Sequence, residues 1–135
     1  HALYGFYVMF TGKNNTRHYG YMKNWMYYLQ RVTGAFLFFY ILFHVTTTWG
    51  TRAHGAEMYD VMVYQLSKPW VLVFYIVGLA AAVFHFCNGL WTFAISWGVT
   101  VGAKSQRISG YTCFAFGLIL YFVGCWALVS FKGVP

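Results

Sequence analysis

Three long apolar stretches constrain this chain more than any other feature. They run over about Val32–Trp49, Trp70–Ser96 and Tyr111–Phe131. A helix needs roughly 20 apolar residues to cross about 30 Å of hydrocarbon, and each stretch comes close to or exceeds that. Only 8% of the residues are charged and 60% are hydrophobic, whereas a soluble domain carries roughly 25% charged residues. The fold class expected is therefore all-α, a transmembrane helix bundle. No repeat or low-complexity tract divides residues 1–135, which read as one membrane-embedded domain.

The chain starts at His1, and His1–Thr11 is apolar but only half a span long. No secretory signal pattern is present. The expectation is three full spans plus the second half of another, with a first helix and part of the second missing. Cys87, Cys113 and Cys125 lie in apolar spans without any CxxC pairing. They read as small hydrophobes and not as zinc ligands.

The charge pattern sets a topology. The segment Gly12–Arg31 carries Lys13, Arg17, Lys23 and Arg31, and Trp97–Ser109 carries Lys104 and Arg107, with no acid in either. The segment Gly50–Lys68 holds Arg52 and Lys68 beside Glu57 and Asp60, the chain's only acids. Basic loops alternate with spans, so loops 12–31 and 97–109 share one side, which the positive-inside rule makes cytoplasmic. Lys132 is an exception at the outer end. The net charge of +7 is thereby explained by the membrane, and nucleic acid is rejected as a partner. Trp25, Tyr28, Trp49, Trp70, Trp97 and Tyr111 fall near span ends, as an aromatic belt does. Gly12 and Gly102 fall in loops. Ser67-Lys68-Pro69 suits a helix start, with Ser67 as N-cap, and Asn24 suits an interfacial turn before Trp25.

Five histidines remain. His18 and His54 read as solvated loop residues. His1, His44 and His85 lie in apolar spans, where an ionisable side chain marks a functional site by default. Interhelical hydrogen bonding is the plain alternative. Neutral imidazole is also an axial ligand for haem iron. His1 and His85 each precede the cytoplasmic end of their helices by about ten residues, or roughly 15 Å. Equal depth allows the two to ligate one iron from opposite faces. His44 sits about five residues from the outer end of its helix, too far out to share that site. Gly5 and Gly89 each follow a histidine by four residues, on the same face one turn along. A flat macrocycle could lie there, although close helix packing would favour glycine equally. Arg31, at the cytoplasmic mouth, could pair with propionates or serve as a positive-inside anchor.

The motifs Lys13-Asn14-Asn15, Tyr21-Met22-Lys23-Asn24-Trp25-Met26, Gln30-Arg31-Val32-Thr33-Gly34, Phe84-His85-Phe86-Cys87-Asn88-Gly89-Leu90-Trp91 and Ser105-Gln106-Arg107-Ile108-Ser109 closely resemble the cytochrome b subunit of succinate dehydrogenase. The resemblance is to the single-subunit, five-helix, dihaem type and covers essentially the whole chain. It implies a bacterial cytoplasmic-membrane anchor for a flavoprotein and an iron-sulfur subunit, relaying electrons to a quinone, commonly menaquinone. It implies two b haems in the full-length protein. His1 and His85 match the ligands of the haem nearer the iron-sulfur subunit, and His44 matches one ligand of the outer haem. The other outer ligand lies in the family's first helix, so only one bis-histidine site is complete here. Phe84, Phe86 and Phe43 would keep the haems dry. Lys13, Arg17, Lys23, Lys104 and Arg107 would dock the iron-sulfur subunit or only set topology. Fumarate reductases of the family can carry a glutamate where this chain has Val83, which tilts the reading toward succinate oxidation. The competing readings are a quinol:fumarate reductase subunit, a haem-free membrane anchor, and a transporter with histidines on a proton path. The last is disfavoured because intramembrane carboxylates and a broken-helix repeat are absent from the sequence.

Overall fold

The computed structural model describes residues 1–52 and 57–131. His54 and Lys132 lie outside the described residues. Five helices follow in order: α1 (Ala2–Thr11), α2 (Met22–Arg52), α3 (Met58–Leu66), α4 (Pro69–Ser96) and α5 (Ala103–Ser130). Three of them, α2, α4 and α5, are long and apolar enough to cross a membrane, and no strand occurs among the described residues. This is the all-α transmembrane bundle expected.

Two helices begin earlier than the apolar stretches do. The α2 helix starts ten residues before Val32, and α5 starts eight residues before Tyr111. Polar residues end an apolar run without ending a helix, because Lys, Gln and Arg are good helix formers. Asn24 is accordingly inside α2 and not in a separate turn. Its side-chain amide donates to Asn15 Oδ1 at 3.0 Å and to the Tyr19 carbonyl at 2.7 Å, tying the preceding loop to the helix.

The α3 helix falls in a segment read from sequence as a connecting loop. It carries Asp60 in its first turn, which suits the positive helix N-terminus, and it buries Val61 and Leu66. Ser67 closes α3 instead of opening α4: its hydroxyl donates to the Tyr64 carbonyl at 2.8 Å. Lys68 is the N-cap of α4, with Pro69 in the first turn. The core cluster lies at this end of the bundle. Leu66, Val71 and Tyr75 are buried, with Tyr40, Phe43, Phe74 and Leu128 against them.

The α4 and α5 helices pack through small residues. Gly110, Gly117 and Gly124 recur every seven residues and face Trp91, Cys87 and Leu79 of α4. A heptad stripe of glycine keeps one face of α5 toward its partner and lets the backbones approach. The turn between them uses Gly98 and Gly102 at φ values of 70° and 90°, where a side chain would be strained. Cys87 is buried in this seam, while Cys113 and Cys125 are half buried. Outside these contacts the spans present large apolar side chains outward, among them Phe39, Leu42, Phe122 and Trp126. Trp49, Trp70 and Trp97 are exposed near helix ends, where amphipathic rings sit at a membrane interface, whereas Tyr111 lies two turns inside α5.

Candidate functional site

His85 is met by three residues of α2. Gln30, Thr33 and Gly34 stand three and four residues apart and so share one face of that helix. The Gln30 amide donates to the His85 carbonyl at 3.0 Å and accepts from Asn88 at 2.7 Å. A Cβ on Gly34 would lie 3.0 Å from Cε1 of the imidazole. Thr33 Oγ1 lies 3.2 Å from His85 Nδ1.

The Thr33 hydroxyl selects one His85 tautomer when it donates to the backbone. A hydroxyl has one proton to give, and that of Thr33 goes back to the Leu29 carbonyl at 2.7 Å. Toward His85 the oxygen is therefore an acceptor, so Nδ1 carries the hydrogen. Nε2 is left with its lone pair, the form that binds a metal.

His1, on the turn that opens α1, is the next aromatic ring. The two imidazole centroids are 6.1 Å apart and nearly perpendicular, at 80°. Imidazole nitrogens bind first-row metals at about 2 Å. Adding about 1 Å from nitrogen to ring centre on each side gives about 6 Å for two rings sharing one ion. The two glycines next to the histidines differ. A Cβ on Gly5 would meet nothing within 4 Å, whereas one on Gly89 would meet the Gln30 amide at 3.4 Å. Open space thus borders His1, while a Cβ on Gly89 would meet only the Gln30 side chain. The glycine against the His85 ring is Gly34.

Arg31 closes one end of the α1–α2 pair. Its guanidinium donates to the Gly12 carbonyl at 3.1 Å and to Asn14, and lies over the Tyr27 ring. Its Nε is buried with no hydrogen-bond partner, a donor in want of an acceptor.

His44 forms a separate centre, about 16 Å along α2 from Thr33. Its Nδ1 is 3.0 Å from Tyr75 Oη on α4, and it stacks near Tyr40 at 6.4 Å between centroids. His44 and the His1–His85 pair are not brought together. The three phenylalanines expected to keep the haems dry lie in different surroundings. Phe84 turns to a groove between α4 and α5, and Phe86 is exposed. Neighbouring positions on a helix point about 100° away from His85. Phe43 packs on Tyr75 and Phe74 beside His44. Gln30, Thr33 and Tyr75 have no assigned role in the sequence reading. The 30–33–34 spacing on one face of α2 is the signal that could have found the first two.

Three membrane-length helices define a multi-pass membrane protein, with imidazoles at two levels of its bundle. The family model for the succinate dehydrogenase/fumarate reductase transmembrane subunit matches residues 9–124, and the chain belongs to that family. It is 47% identical over 132 residues to the succinate dehydrogenase cytochrome b558 subunit of Bacillus subtilis, covering 97% of this chain and 65% of that protein. It is 30% identical over 63 residues to the succinate dehydrogenase hydrophobic membrane anchor subunit of Thermoplasma acidophilum, covering 47% of this chain and 51% of that protein. The chain thus spans less than two thirds of the length of either relative. Among solved structures none gives a significant match.

Proposed function

We propose that this chain is the haem-b-carrying membrane anchor of a bacterial succinate:quinone oxidoreductase, relaying electrons between an iron-sulfur subunit and a quinone such as menaquinone. The single observation that carries the reading is the His1–His85 pair at 6.1 Å between ring centres. That spacing is compatible with two imidazoles sharing one iron. Bound there, a haem would supply one-electron chemistry that no side chain of the bundle offers. His1 and His85 would hold it. Thr33 keeps His85 Nε2 unprotonated, Gln30 fixes the backbone beneath, and Gly34 makes room for the ring. The unpaired Nε of Arg31 suits a propionate at the mouth. His44 would be one ligand of an outer haem.

The positive-inside rule supports a cytoplasmic side for the basic segments 12–31 and 97–109, which comprise loops and the first turns of α2 and α5; there Lys13, Arg17 and Lys104 can meet the iron-sulfur subunit. Succinate chemistry belongs to the flavoprotein partner. The test is a haem-counted absorption spectrum of the purified protein, oxidised and then reduced with dithionite, for wild type and His85→Ala. A sharp reduced α-band that falls by one haem in the variant is the expected result. Equal haem content in both would overturn the pairing. No haem in a well-folded, haem-supplied sample would leave a haem-free anchor.

A further inference from the structure

On the face of α4 turned away from the histidines, a groove of about 870 Å³ runs between α4 and α5 and reaches the first turns of α2. Its walls are apolar: Ala80, Val83 and Phe84 on one side, Phe114, Leu118 and Tyr121 on the other. Along α5 it extends from Arg107 to Tyr121, about 21 Å at 1.5 Å per residue. That matches one leaflet of a bilayer including its headgroups, about 20–22 Å. The α2 helix lines it only with Met22, Lys23 and Met26, so beyond that turn the groove opens sideways.

The two ends differ in charge. Lys23 and Arg107 stand at the same mouth. Lys23 gives one ammonium hydrogen to Gln106 Oε1 at 2.9 Å and keeps two. Arg107 is exposed and has no hydrogen bond or ion pair among the described residues. No acid offsets them, because Glu57 and Asp60 are the chain's only carboxylates and both belong to the α3 segment. A protein partner would need the two cations but not the apolar channel beneath them. A neutral headgroup would need the channel but not the cations.

The geometry points to a phospholipid of anionic headgroup, seated in the leaflet at this end of the bundle with its phosphate on Lys23 and Arg107 and an acyl chain along α5. Basic pockets between transmembrane helices recognise such headgroups. The proposal is independent of the histidine sites.

Native mass spectrometry of the detergent-purified protein, incubated with phosphatidylglycerol or with phosphatidylcholine of the same acyl chains, tests it. Wild type is expected to retain one phosphatidylglycerol in preference to phosphatidylcholine by roughly thirtyfold, the worth of two surface charges. The Lys23→Gln/Arg107→Gln double variant should lose the preference. Leu118→Trp, which fills the groove from an exposed position, should lower retention of both lipids. Helix content by circular dichroism should stay constant in all three. Equal retention of the two lipids by wild type, an unchanged preference in the double variant, or a quinone retained in place of phosphatidylglycerol would overturn the proposal.

Discussion

Gly34 and His85 touch across α2 and α4, with the position of a Cβ on Gly34 only 3.0 Å from the imidazole Cε1. That is tighter than ordinary van der Waals contact. A methyl group there would push the ring by a few tenths of an ångström, and a larger side chain would drive it out. Under the proposed function, Gly34→Ala should retain haem with a shifted reduced α-band, and Gly34→Leu should lose the His85 haem. Haem-counted spectra of the two variants decide this. A Gly34→Leu protein with full haem content would show that the glycine serves only helix packing.

Thr33 acts through His85 and not on any ligand directly. Partners that orient a metal-binding histidine typically matter by 10–100-fold in affinity. Thr33→Val keeps the shape but removes the acceptor from Nδ1. It should weaken haem retention by roughly that factor and shift the midpoint potential of the same haem. Thr33→Ser should restore both. Potentiometric titration of the three proteins separates this from a packing defect, which serine would not repair.

The class of fold was legible in the sequence because apolar runs of membrane length have few alternatives. The closeness of His1 and His85 was legible from counting residues to the ends of their helices. Three things were not. The α3 helix is too short to show as an apolar run, and it packs through only a few residues such as Val61 and Leu66. The polar first turns of α2 and α5 looked like loop because charge was read as a boundary. The partners of His85 lie some 50 residues away in sequence, and the 30–33–34 spacing marks a face of α2 without saying which ring it meets. The seven-residue spacing of Gly110, Gly117 and Gly124 stands in the sequence, but the face it marks shows only with α4 packed against it.

Arg31 joins the end of α1 to α2 through the Gly12 carbonyl, Asn14 and the Tyr27 ring. Planar, forked donors make these contacts together, and a lysine cannot. Arg31→Lys should therefore behave like Arg31→Gln. Both should loosen α1, seen as faster proteolysis between Thr11 and Met22, and both should lower haem content through His1. A lysine variant indistinguishable from wild type in both assays would reduce Arg31 to a topological charge.

Tyr75 gives a control at the other histidine. Tyr75→Phe removes the 3.0 Å contact to His44 Nδ1 and leaves the His1–His85 pair untouched. Hydrogen bonds between membrane helices are worth about 0.6 kcal/mol on average, so the fold should survive. In this chain the haem spectrum should not change. In a protein that also carries the first helix, the outer haem alone should shift in potential. A change in the inner haem would mean that the two centres are coupled along α2.

Gly78 and Gly124 both line helix contacts, yet substitution should separate them. The space a Cβ would take at Gly78 is filled by the Tyr40 ring. That ring is hemmed in by Phe36, His44, Phe74 and Tyr75 and has nowhere to turn. At Gly124 the nearest atom is a Leu79 methyl carbon at 2.6 Å, the end of a side chain that can change rotamer. Overpacking a fixed site is destabilising by about 1–3 kcal/mol, so Gly78→Ala should fall in that range and Gly124→Ala below it. Unfolding in mixed detergent, followed by helix content, measures both. Because Tyr40 stacks near His44, Gly78→Ala should also disturb the outer haem in a protein carrying the first helix, while Gly124→Ala should not. Equal losses of stability in the two variants would show that Tyr40 is as free to move as Leu79.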